Sequence, residues 1–75
     1  MRTYGMLREA INRRYESLEN FAAALGISRA SLSLKLNDHR EWKKSEMESA
    51  CALLDIPLKQ IPDYFFYDND LNSSH

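Results

Sequence analysis

Arg29 and Asn37 are the side chains of this 75-residue chain best suited to directional recognition. A guanidinium can donate a forked pair of hydrogen bonds to guanine O6 and N7, while a primary amide can pair with adenine or hold a phosphate. Lys35, His39, Arg40, Lys43 and Lys44 lie between and after them, and each is a cation or a latent cation able to hold an anionic oxygen. Covalent and metal chemistry find no comparable set. The chain has no Ser/His/Asp or Cys/His constellation and no glycine-rich phosphate loop, and His39 has no second His or Cys at ligand spacing. Cys51 falls on an apolar helix face, where a core role is expected. An enzyme is therefore not expected, nor a metal, a cofactor or a small-molecule ligand.

The elements that must position these residues are short helices. Met6, Leu7, Ala10 and Ile11 recur at helical spacing and predict a first helix from about Gly5 to Arg14. Ser17 is the expected N-cap of a second helix, with Asn20 standing where a capping box has Glu or Gln, and Phe21, Ala22 and Leu25 form its buried side. Gly26, one of two glycines, follows the last apolar position and supplies the positive φ of a sharp turn. Ser28 then caps a third helix running to about Leu36. At about 100° per residue, Leu32 and Leu36 fall within about 40° of each other on the core side, and Ala30, Leu34 and Asn37 point away. Two short helices joined by a glycine turn have the form of a helix-turn-helix, whose second helix can project into a major groove.

Asn37-Asp38-His39-Arg40 reads as a turn. Ser45 with Glu48 predicts a capping box for a fourth helix that turns Met47, Ala50, Cys51 and Leu54 inward. Pro57 suits the first turn of a short fifth helix carrying Leu58 and Ile61, and Pro62 is expected to end it. The consecutive aromatics Tyr64, Phe65, Phe66 and Tyr67 favour an extended conformation, serving either as a lid over the core or as an interface. The expectation is an all-α domain over residues 1–67 with a short extended aromatic strip at its end, and a polar, disordered tail over residues 68–75.

The lone Cys51 forms no internal disulfide, no apolar stretch is long enough to span a bilayer, and no signal-peptide core is present, so a cytoplasmic protein is expected. The formal net charge of -1 conceals a division. Through Lys44 nine basic residues face five acidic ones; beyond it Lys59 stands against six acids. Such asymmetry suggests a basic working end and an acidic back.

Leu25-Gly26-Ile27, with Phe21-Ala22 upstream and Leu32 downstream, resembles the Cro/CI-type (Xre) helix-turn-helix family. The resemblance spans about Met6 to Ile61. It looks closest to small phage and prophage Cro-like regulators through Gly26-Ile27-Ser28-Arg29, Leu32-Ser33, Lys35-Leu36-Asn37 and Leu54-Asp55-Ile56-Pro57. It implies a five-helix, lambda-repressor-like domain that binds double-stranded DNA as a homodimer and represses transcription at a pseudo-palindromic operator. Ser28, Arg29, Ala30, Ser33, Leu34 and Asn37 would then face the bases. Ser17, Lys35, His39, Arg40, Lys43 and Lys44 would contact phosphates, and Tyr64, Phe65, Phe66 and Tyr67 would form a dimer or partner interface. Two residues depart from the family pattern: Leu18 stands where Gln is common, and Leu34 where a polar or basic residue is usual. The first loses a phosphate contact; the second makes the recognition face apolar and, with the acidic overall balance, opens an alternative, a protein-binding antirepressor or modulator. Such a protein would dock on a partner phage repressor through the helix-turn-helix face or the aromatic strip.

Overall fold

Ser17 and Ser28 begin two helices by the same chemistry. Each hydroxyl oxygen accepts the backbone N–H three residues on, Asn20 at 3.1 Å and Ser31 at 3.0 Å, and so satisfies a donor that lacks an intrahelical partner. The computed structural model describes residues 3–66. Within them lie α1 (Gly5–Tyr15), α2 (Leu18–Leu25), α3 (Arg29–Leu36) and α4 (Lys44–Leu54), then a 3₁₀ turn (Leu58–Gln60) and a π-helical turn (Pro62–Phe66). No strand occurs among the described residues, so the fold is all-α as the sequence indicates.

Gly26 makes the turn between α2 and α3. At φ 86° and ψ 26° its N–H donates to the Ala22 and Ala23 carbonyls, and the Ile27 N–H also donates to Ala22. This closes the C-terminal end of α2 and sends the chain directly into α3. Leu7 and Ile11 of α1, Phe21 and Ala22 of α2, Leu32 and Leu36 of α3, and Ala50, Cys51 and Leu54 of α4 meet in one core. Tyr4, Ile56 and Phe65 seal it.

The structure corrects several expectations beyond the fourth helix's start and along the aromatic run. Helix α4 begins earlier than a Ser45 cap allows, because Glu46 rather than Glu48 is the carboxylate turned inward; Glu46 Oε1 accepts the Lys43 N–H at 2.9 Å. Pro62 opens the last helical turn instead of ending one, as its missing N–H permits at a first position. The aromatic run is helical there and not extended. Phe65 is only 2% exposed and packs edge-to-face on Trp42 with ring centroids 4.9 Å apart, so burying this ring outweighs the aromatic preference for extended backbone. Phe65 is thus a core residue, not an interface residue; Tyr64 is half-buried and Phe66 exposed. Tyr67 and the expected tail at 68–75 lie outside the described residues. Met6, on the apolar stripe of α1, and Leu58 are exposed.

A Cβ at Gly26 would meet nothing within 4 Å, so any cost of substitution is that of the left-handed backbone itself. Gly26→Ala should lower stability by about 1 kcal/mol, and Gly26→Asn by less because Asn tolerates this region. Thermal denaturation of the three proteins checks this; Ala and Asn variants that melt together, or with the parent, would contradict it.

Candidate functional site

Helix α3 has two turns and two different sides. Leu32, Lys35 and Leu36 are buried, whereas Arg29, Ala30 and Leu34, with the flanking Ser28 and Asn37, are exposed. Ser31 and Ser33 are half-buried. Leu34, at 37% exposure, is a large apolar side chain left on the solvent side of a small domain. Beyond α3, His39, Arg40 and Lys43 on the connection and Lys44 at the start of α4 are exposed.

Lys35 is the exception among the cations assigned to phosphate. It is 4% exposed, and its ammonium contacts Glu46 Oε1 at 3.1 Å and donates to the Glu41 carbonyl at 3.3 Å. An ammonium so enclosed cannot reach a phosphate, so its assignment as a clamp is corrected. The pair ties α3 to α4, and a buried charge without such a partner would be costly. Around Glu46, burial raises the carboxyl's pKa. The Lys43 backbone N–H, the Lys35 hydrogen bond and the charges of Lys35 and Lys43 together outweigh burial and hold it below its ordinary value.

Other polar side chains on and beside α3 also bond within the molecule. Asn37 Oδ1 accepts from Arg8 Nη2 at 2.8 Å, and Asn37 Nδ2 donates to Ser33 Oγ at 3.3 Å. Ser31 Oγ accepts from Arg40 Nη1 at 3.3 Å. Arg8 was not a candidate from sequence, and its role depends on a contact between residues 28 positions apart. Ser17 is committed as the N-cap of α2, flanked by the exposed carboxylates Glu16 and Glu19, which would repel a phosphate at that helix end. What remains outermost on α3 is Ala30 and Leu34, with Ser28 and Arg29 at one end.

Burial pushes the Cys51 thiol up in pKa and keeps it protonated. Among the described residues, no three or more His, Cys, Asp or Glu side chains are grouped to hold a metal, and no helix is long and apolar enough to cross a membrane.

These features define a class: a small all-α helix-turn-helix domain whose second helix presents Ala30 and Leu34 outward, buries Lys35 and ties several of its other polar side chains into bonds within the molecule. The chain belongs to the family described as protein of unknown function (DUF739), whose model matches residues 2–68. Among curated proteins, none matches it. It is similar to the solution structure of the modulator of repression (MOR) of the temperate bacteriophage TP901-1 from Lactococcus lactis. The identity is 38% and the TM-score 0.78, over 87% of this chain and 88% of that one.

These findings correct the expected membership in the Cro/CI-type (Xre) family. They also overturn the expectation of an operator-reading, Cro-like DNA-binding repressor, since the similar protein modulates repression. The enclosure of Lys35 and the internal bonding of Asn37 supply physical reasons that point the same way.

The Glu46 pKa has a consequence for acid stability. Lying below about 4.5, the folded-state value means that the unfolded chain binds this proton more tightly. The contribution is therefore complete above about pH 4.5 and is lost as pH falls through the folded value. Glu46→Gln should be less stable than the parent at pH 7, with the gap narrowing toward pH 3. Urea unfolding at a series of pH values checks this; a gap that stays constant with pH would contradict it.

Proposed function

We propose that this chain is a modulator of repression that works by protein contact, docking the outward side of α3 on a partner phage repressor. The observation that carries the proposal is the 38% identity, across most of both chains, to a phage modulator of repression. Ala30 and Leu34 form the centre of the contact, with Ser28 and Arg29 beside them and Asn37 at the far end. A central aliphatic anchor ringed by polar groups that exclude water is the usual distribution of energy in a protein interface. Arg40, Lys43 and Lys44, with His39 among them, form a basic rim that steers approach and adds little affinity.

Modulation then follows from mass action. Repressor held in the complex is withdrawn from the pool that occupies its operator. Docking of this kind needs no DNA duplex, no second copy of the chain and no catalytic step. It takes place in the cytoplasm, where repressor and operator meet.

Calorimetric titration with the repressor encoded in the same genome tests the proposal. Leu34→Lys should weaken binding by about 10- to 100-fold while barely moving the melting temperature, because the side chain is already exposed. Affinity of the parent should change little between low and high salt, in contrast to the steep loss that phosphate contacts impose. Equal affinities for the parent and Leu34→Lys would contradict the assigned face.

A further inference from the structure

Arg8 lies on α1, outside the helix-turn-helix, yet its guanidinium ends on α3. Nη2 donates to the Leu36 carbonyl and to Asn37 Oδ1, both at 2.8 Å, while Nε donates to the Thr3 carbonyl at 3.2 Å. Leu36 is the last residue of α3, so its carbonyl lacks an intrahelical partner and sits at the negative end of the helix dipole. A single cation thus closes that end and grips the next side chain by charge-assisted bonds. Asn37 passes the constraint back one turn, because its Nδ2 donates to Ser33 Oγ.

Residue 37 is three positions from Leu34, so the Asn37 side chain is a neighbour of the exposed leucine on the helix surface. Released, the Asn37 amide would be a mobile, hydrated group beside the apolar centre, and a partner would have to order and desolvate it on binding. We infer that Arg8 is a positioning residue for the α3 face: it fixes the Asn37 amide against Ser33 and so pre-organises the surface around Leu34 for a protein partner. This rests on the docking proposed above. It makes α1 a determinant of how well α3 binds, though Arg8 itself need not touch the partner.

The full chain carrying Arg8→Ala, Arg8→Lys, Asn37→Ala or the Arg8→Ala/Asn37→Ala pair is titrated with the repressor encoded in the same genome. Melting temperatures are measured alongside, and the Asn37 side-chain amide is followed by ¹⁵N NMR. Arg8→Ala should weaken binding by about five- to tenfold, and the double variant should bind no worse than Arg8→Ala, because the two residues act as one unit. Arg8→Lys should recover little, since an ammonium lacks the planar fork. In Arg8→Ala and Arg8→Lys the Asn37 amide resonances should shift and their hydrogens exchange faster, a signature that general loss of stability in a chain still folded does not produce. Losses that simply add, or an Asn37 amide unmoved by Arg8→Ala, would overturn the inference. Should the parent chain itself fail to bind, the docking proposal falls, and the Asn37 amide still decides whether Arg8 holds it.

Discussion

The burial of Lys35 sets how α3 can be used. An ammonium removed from water needs a compensating charge, and Glu46 with the Glu41 carbonyl supplies one, fixing α3 to α4 and to the segment between them. Leu32 and Leu36 bury beside it, so one whole side of an eight-residue helix is committed to the interior. With that side fixed, the opposite side can only be the one carrying Ala30 and Leu34. The fold thereby determines not merely that α3 is exposed but which residues it offers.

The same constraint bears on the type of partner. Gripping phosphate calls for free cations and helix N-termini near the duplex. Here one cation is enclosed, Arg8 and Arg40 are turned onto α3, and Glu16 and Glu19 flank the start of α2. A helix-turn-helix frame is retained while its equipment for nucleic acid is partly withdrawn, and a leucine stands where a polar reader would be useful. An apolar protein surface is the complement of such a face, which accords with the likeness to a phage modulator of repression. The docking proposal therefore rests on these surface residues and not on the frame, which other functions can share.

Local chemistry was legible in the sequence. Ser17, Gly26 and Ser28 act through their own backbone surroundings, and the apolar periodicity of Leu7, Ile11, Leu32, Leu36, Ala50, Cys51 and Leu54 leads directly to the core. The charge of Lys35 suggests a surface role, yet its position three residues after Leu32 and next to Leu36 puts it on the inward side, where Glu46 receives it. Arg8 escaped notice because its partners lie on a distant helix, which no local pattern reveals. The aromatic run misled because propensity favours strands, whereas the core needed one of its rings and a helical turn supplied it. The family resemblance rested on wording around the turn that DNA-reading and other helix-turn-helix proteins share. Of the two departures from the family pattern, Leu34 lies exposed on α3, whereas Leu18 is half-buried.

The most direct measurement is an NMR titration of the ¹⁵N-labelled chain with the repressor encoded in the same genome, followed residue by residue. If α3 is the docking face, shift changes and line broadening will centre on Arg29, Ala30 and Leu34 and fade toward α1 and the back of α4. Changes centred instead on Met6 and Phe66, or a response at α3 to duplex DNA at physiological salt with none to the repressor, would contradict the account.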